Sequence, residues 1–314
     1  MNTDRQKDPS SDAGLEINSR YTVVMVTYNS AHLLERCFEG LEGSSSVLVV
    51  DNASKDKSVS KIREVAPQAT ILVNETNEGF GKAVNKALYK VDTEFAILVS
   101  PDCLIEQSVI EKLVTLADHW DNAAIVSPIL IAEDGKKTRC HDQDLFSREG
   151  ISRSREDEPF PSGNLCAGFV QNAVSLLRMK ALRKTGFFDE NIFLFYEDDD
   201  LCIRLRRDGW SLLLAPALVA IHLSGTSSNL NRALLIRRRY YHMAWSRIYL
   251  EGKYRGSSRG FVLGITNLIV FLAKLFSALI TLNRTKIIRD SARLEGTFAF
   301  LCGFSAYKPK ESKK

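Results

Sequence analysis

Short β-branched runs alternate with helical patterns over the first two thirds of this chain. YTVVMV (21–26), VLVV (47–50), TILV (70–73) and FAILV (95–99) are continuous apolar runs, as strands are when a parallel sheet buries both their faces. Between them, SAHLLERCFEGLEG opens on Ser30 as an N-cap and ends at Gly43, and GKAVNKALYKV sets Ala83, Ala87 and Leu88 at helical spacing. This alternation predicts an α/β fold with an open sheet of Rossmann-like character. Residues 133–163 carry many charges and little apolar period, which predicts a mobile surface insertion able to act as a lid. A core pattern returns with LCAGFVQNAVSLLRMKAL; IFLFY (192–196) then reads as a strand and DDDLCIRLRRDGW as a helix burying Leu201 and Leu205.

The last third has a different pattern. GFVLGITNLIVFLAKLFSALITL (260–282) is long enough to span a bilayer. Against a span, Asn267, Lys274 and Thr281 recur every seventh residue as a polar stripe, and basic residues flank both ends without an orientation signal. An interfacial helix pair on an anionic leaflet fits the pattern better than a soluble bundle, a homodimer interface or a span. Three segments result: a flexible tail over 1–19, an α/β domain over 20–229 containing the 133–163 insertion, and a basic helical region over 230–314.

Charge sharpens the division. Residues 1–229 hold 25 Lys and Arg against 34 Asp and Glu, whereas residues 230–314 hold 17 against four, so the surface that seeks an anionic partner is C-terminal. The six cysteines lie far apart without a CxxC pair and are expected to be reduced, with Cys37 and Cys202 in helix-face core positions. The polar start, MNTDRQKDPSSDAGLEINS, carries no apolar stretch, which places the expected location in the cytoplasm.

Ligands of open α/β sheets bind beyond the carboxyl ends of the strands. TYNS (27–30), DNASKD (51–56), NETNEGFG (74–81) and SPDC (100–103) follow the four predicted strands and converge on a site for a polar, anionic ligand. Asp51 can accept from a base N–H or a ribose hydroxyl, or close an Asx turn with Asn52 and Ser54. Gly79 and Gly81 permit close backbone approach at a helix N-terminus, but the dinucleotide and P-loop patterns are both missing. Asp102 can hold Mg²⁺ or Mn²⁺ bridging to phosphates, or cap the next helix; His222 can complete the metal shell or sit in the core. The helix dipole favours Asp199 and Asp200, whereas Glu197 and Asp198 stand at the junction where a partly desolvated carboxylate can accept a proton from a hydroxyl.

Taken together, VVMVTYNS, VVDNASKDKS, NEGFGKAVN, SPDC, GFFDENIFLFYEDDDLCIRLRRDGW and APALVAIHLSGTSS resemble the bacterial family 2 glycosyltransferases, among them the rhamnosyltransferase-like members, over about residues 21–245. The resemblance implies a GT-A fold, inversion at the anomeric carbon and a divalent cation. It implies that Thr27, Tyr28, Asn29, Asp51, Asn77, Gly79, Lys82 and Ser100 line the nucleotide pocket and that Asp102 and His222 hold Mg²⁺ or Mn²⁺. Asp198 would be the general base and Glu197 its orienting neighbour. The donor would be a dTDP-, UDP- or GDP-linked sugar, the acceptor a saccharide or lipid-linked saccharide, and the working place the inner face of the cell membrane, with no nucleic-acid partner. Two departures stand out: Ser100-Pro101-Asp102 where the family often has NPD or DxD, and Asn172-Ala173 where it often has a Gly-Ala pair. The competing expectations are a nucleotidyltransferase that forms sugar nucleotides and a non-enzymatic basic binding protein.

Overall fold

The computed structural model describes residues 17–151, 158–223 and 231–307. The expected tail lies almost wholly outside these residues, as do 152–157 of the insertion and the GTSS following His222 and its neighbours. The described residues form two compact units: 17–77, 84–187 and 202–223 in one, and 78–83, 188–201 and 231–307 in the other.

The first unit is a mixed sheet with flanking helices. Its strands are β1 Tyr21–Thr27, β2 Val47–Asp51, β3 Thr70–Val73, β4 Phe95–Val99, β5 Cys103–Leu104, β6 Ala123–Ile131, β7 Lys137–Thr138, β8 His141–Asp142, β9 Leu165–Cys166, β10 Phe169–Val170, β11 Val174–Arg178 and β12 Ser211–His222. The path through the main sheet is β3-β2-β1-β4-β11-β6-β12-β5. The four apolar runs are the parallel strands β1 to β4, joined side by side; β1, β2 and β4 are buried as expected, whereas β3 is an edge strand with Thr70 and Val73 exposed and Ile71 and Leu72 half-buried. β11 inserts antiparallel between β4 and β6, while β12 runs parallel to β6, so β1, β2, β4 and β12 all end on one rim.

Among the described residues six α-helices belong wholly or partly to this unit: α1 Leu34–Glu39, α2 Ser58–Val65, α3 Phe80–Leu88, α4 Gln107–His119, α5 Met179–Thr185 and α6 Glu197–Arg207. Ser30 does not cap α1. That helix begins at Leu34, and Ser30 Oγ instead accepts from the Tyr28 N–H (3.3 Å) inside the turn after β1. Cys37 and Cys202 are buried, as their helical spacing predicts, and the described cysteines are all free. The described part of the 133–163 segment is more than a loop: β7 folds back on β6, β8 pairs with β10, and Cys140 and Leu145 are buried.

The second unit contains α7 Arg232–Arg255, α8 Ser257–Ile280 and α9 Arg284–Leu301, together with the first turns of α3 and of α6 Glu197–Arg207. Tyr241, Trp245, Ala292 and Ala299 form its core, with Phe193, Tyr249, Phe300 and Tyr307 packed around them. IFLFY is not a strand. Residues 192–196 are irregular, and Phe195 and Tyr196 take positive φ of 65° and 69°. The backbone there reverses into α6 with no neighbouring strand to pair with, so apolar content alone misleads at this point.

Candidate active site

On the first unit's rim, β1 and β2 end side by side with Thr27 opposite Asp51. Both residues are buried, and Thr27 Oγ1 donates to Asp51 Oδ2 (3.0 Å). The Ser54 N–H donates to Asp51 Oδ1 (2.9 Å), so the Asx turn expected as an alternative does form. Asn29 takes a left-handed φ of 55°; its N–H donates to Ser54 Oγ and its Oδ1 accepts from the Lys55 N–H, each at 2.8 Å. The end of β3 is tied in by a polar chain. Lys86 Nζ donates to Asn74 Oδ1 (2.7 Å), Asn74 Nδ2 to Asn52 Oδ1 (3.0 Å), and Asn52 Nδ2 to Asn77 Oδ1 (3.0 Å). Thr27, Tyr28, Asn29, Asp51 and Asn77 thus stand along one fixed rim. Lys86 and Asn74 went unremarked in the sequence because their partners come from two other elements.

β4 ends on the same rim at half-exposed Ser100, whose N–H donates to the Ala173 carbonyl (2.8 Å). Asp102 is not the cap of the following helix: α4 starts at Gln107, with Glu106 in the cap position. It is buried where β5 pairs with β12, and the Leu223 N–H donates to its carbonyl (2.8 Å). The register sets His222 opposite Cys103 and brings His222 Nε2 to 3.6 Å from Asp102 Oδ2. The ligand atoms of Asp102, Cys103 and His222 all lie within 4.8 Å of one another.

Such a donor set suits a hard divalent ion. Two donors each about 2.1 Å from one ion are at most about 4.2 Å apart, so the carboxylate and imidazole can share one. Cys103 was missed by sequence reading, which saw no paired cysteines. Burial, then the charge of Asp102, pushes its thiol well above the ordinary value, so it lines the place as a neutral group.

In the second unit the acidic run separates by environment. Glu197 is buried, and its Oε2 has no hydrogen-bond partner among the described residues. Burial, then the charge of Asp198, pushes its carboxyl well above the usual range. Asp199 and Asp200 are also buried, leaving Asp198 as the half-exposed carboxylate of the four. Asp200 accepts from Lys253 Nζ (2.5 Å) and Tyr254 Oη (2.7 Å). Lys253 also reaches Asp189 Oδ2 (2.6 Å), which accepts from Tyr249 Oη (2.8 Å). Burial opposes ionisation of Asp189, but these bonds and the Asn191 N–H hold its carboxyl below the usual range.

α7 therefore grips the acidic turn. Ser246 Oγ donates to the Leu194 carbonyl (3.2 Å), and the Phe193 ring stacks on His242 (centroids 4.5 Å apart). These partners lie some 50 residues downstream, where no sequence signal links them to the acids. Gly79, expected to admit a ligand, has φ of 79°, and a Cβ there would strike the Phe193 backbone. Protein fills the space that its missing side chain leaves. The Phe80 N–H, one of the free donors of the α3 N-terminus, donates to the Phe193 carbonyl (2.9 Å). Lys82 lies 6.0 Å above the Tyr307 ring. Gly79, Lys82, Glu197 and Asp198 thus belong to the second unit, and the other expected site residues to the first.

A cavity of about 580 Å³ lies in the first unit at the start of β12, the end remote from His222. Its arginines are already paired, Arg139 with Glu158 (2.9 Å) and Arg206 with Asp144 (3.5 Å), so it does not share the rim's chemistry.

A mostly parallel sheet ending on a polar rim, with a carboxylate and an imidazole converging at its edge and C-terminal helices following, has the architecture of a GT-A glycosyltransferase fold. Residues 22–186 match the family described as glycosyl transferase family 2, and the chain belongs to that family. It is 24% identical over 273 residues to the N-acetylglucosaminyl-diphospho-decaprenol L-rhamnosyltransferase of Mycobacterium tuberculosis, covering 75% of this chain and 89% of that protein. It is 27% identical to the dTDP-rhamnosyl transferase RfbF of Shigella flexneri, covering 68% of this chain and 72% of RfbF. Among solved structures, the mannosyltransferase PcManGT of Pyrobaculum calidifontis, in complex with GDP-Man and Mn²⁺, superposes with a TM-score of 0.55 at 15% identity, covering 90% and 87% of the two chains. TarS 1–349 of S. aureus gives 0.50 at 13% identity, covering 92% and 93%. The protein is thus an enzyme, a glycosyltransferase, which sets aside the nucleotidyltransferase and the non-enzymatic binding protein.

Proposed function

We propose that this enzyme transfers rhamnose or a related hexose, with inversion, from a nucleoside diphosphate sugar to a lipid-linked or growing saccharide. The names of the rhamnosyltransferase relatives support a dTDP-linked donor and a polyprenyl-diphosphate-linked acceptor, with UDP- and GDP-sugars as the other donor classes. In this reading Thr27, Tyr28, Asn29, Asp51, Asn77 and Ser100 receive the nucleotide, and Lys82 contributes a cation toward its phosphates. Asp102 and His222 would hold Mg²⁺ or Mn²⁺, which when bound would supply positive charge to offset that of the leaving diphosphate.

Asp198 accepts the proton of the acceptor hydroxyl while that oxygen bonds to the anomeric carbon on the face opposite the diphosphate. The bond from that carbon to the diphosphate oxygen breaks, the electron pair leaves with the nucleoside diphosphate, and the configuration inverts. Glu197, buried beside it, orients the acidic turn. One observation carries the assignment: of four consecutive acids, Asp198 is the half-exposed one, and the other three are buried. Such an enzyme works at the inner face of the membrane, where a lipid-linked acceptor is presented. The test is Asp198→Asn, which should leave the Mn²⁺-dependent thermal shift by nucleoside diphosphate unchanged and lower turnover by about 10²–10⁴-fold. Near-normal turnover would remove Asp198 as the base.

A further inference from the structure

α8 is 24 residues long, and its two sides differ in burial. One side faces α7 and α9: a Cβ on Gly260 would lie 2.9 Å from Gly252 Cα, and one on Gly264 would lie 2.7 Å from the Leu301 side chain. The other side exposes Phe261, Ile265, Ile269, Leu272, Phe276 and Ile280 in succession, with Phe276 and Ile280 more than 60% accessible. Six large apolar side chains along one helix make a continuous strip of the sort that marks an interaction surface.

The charges around this strip are of one sign. From Gly252 to Arg289 the sequence contains seven Lys and Arg and no Asp or Glu. Arg255, Arg259, Lys274, Arg284 and Lys286 are exposed at the two ends and along the length of α8. A second copy of this surface would set these cations against their own kind, with no acid on the strip to answer them. An anionic leaflet accepts both the apolar strip and its basic border.

At about 1.5 Å per residue the helix could also cross a bilayer of about 30 Å. Its inner side argues against crossing. Phe271, near the middle of α8, lies 5.3 Å from the Arg293 guanidinium of α9, and Arg293 pairs with the fully buried Asp290 (3.1 Å). Further along α9, Glu295 pairs with Arg237 of α7 (2.7 Å). A crossing α8 would carry these ion pairs to hydrocarbon depth, at about 2.5 kcal/mol or more for each charged side chain.

We propose that α8 lies in the plane of an anionic leaflet, buried to the depth of its outer apolar strip, and that α7 and α9 stay on the aqueous side. This deepens the peripheral attachment in the functional reading by naming the surface that makes it. α7 both packs on α8 and grips the turn that carries Asp198, so the docked element and that turn belong to one compact unit.

The test uses the full chain with vesicles of phosphatidylcholine alone or with 30% phosphatidylglycerol, about that fraction being enough to charge the surface. Co-sedimentation should require the anionic lipid, fall at least tenfold in high salt, and be released by alkaline carbonate. The triple variant Phe261→Ser, Ile269→Ser, Phe276→Ser changes exposed positions only; it should keep the wild-type melting temperature and lose vesicle binding. A tryptophan at Ile269 should be quenched more by lipids labelled near the headgroup than by those labelled at mid-chain. Carbonate-resistant association or mid-chain quenching would mean a span. Binding to neutral vesicles alone, or a concentration-dependent dimer without vesicle binding, would equally overturn the proposal. Asp198→Asn should bind vesicles as wild type does, so failure of the docking surface and failure of the catalytic reading are told apart.

Discussion

The sheet unit and the helical unit position acidic groups by opposite means. On the sheet, Asp51 is the last residue of β2 and Asp102 follows closely after β4, each placed where a buried apolar run stops. Their geometry is set by backbone register, with Thr27 opposite Asp51 and Cys103 opposite His222. In the helical unit the acids follow two aromatic residues in left-handed conformation, and side chains of α7 hold them. Register makes the first arrangement rigid through many small backbone bonds, while the second depends on a few charged contacts. The sheet should therefore tolerate loss of any one polar side chain, and the acidic turn should not.

The largest expected effect separates the two units by function. Asp102→Ala should abolish the Mn²⁺-dependent thermal shift by nucleoside diphosphate, whereas Asp198→Asn should keep that shift and lose about 10²–10⁴-fold in turnover. A loss of both properties in both variants would break the comparison.

Lys253→Met comes next. It leaves Asp189 and Asp200 without their cation; removing one member of a buried pair costs about 3–5 kcal/mol, and about 2–3 kcal/mol is expected here because Lys253 is 27% exposed. Denaturant unfolding would measure it. Asp189, held below the usual carboxylate range, stabilises the fold above its unfolded pKa of about 3.9, and that contribution is lost as pH falls through its lowered folded value. The variant should flatten this acid limb, and Lys253→Arg should restore it.

Glu197→Gln should have a smaller effect of opposite sign. Glu197's folded pKa is raised, so its contribution is full below its ordinary value of 4.5 and is lost as pH rises through the folded value. Glutamine is neutral throughout; the variant should melt on the order of a few degrees above wild type at pH 8 and level with it near pH 4. A lower melting point at pH 8 would contradict a raised folded pKa for Glu197. Arg237→Ala, which removes an exposed pair with Glu295, should cost less than about 1 kcal/mol in the same unfolding measurement.

Much of the rim was legible because a parallel sheet writes itself into sequence. YTVVMV, VLVV and FAILV could be buried on both faces only as neighbouring strands, TILV forms the edge of the same sheet, and the polar residues after them had one end of the sheet to occupy. The acidic turn was legible in composition alone. Its apolar approach, IFLFY, read as a strand because an apolar run gives no sign of whether a partner strand exists. Gly79 read as a ligand contact for a similar reason: a glycine signals that something comes close, and here that neighbour is the Phe193 backbone.

The sequence by itself determined the parallel strands, the family to which the chain belongs, the acids and histidine that are candidates for its site, and the basic, apolar character of the last 85 residues. Those properties rest on local pattern, which the order of side chains fixes directly. Tertiary structure decided which acid of four remains open to solvent, that Asp102 meets His222 rather than capping a helix, and which side of α8 stays bare. Each of these depends on contacts between residues about 50 or more positions apart, or on which neighbouring helix covers a face, and burial and pairing at that range arise only when the chain has folded.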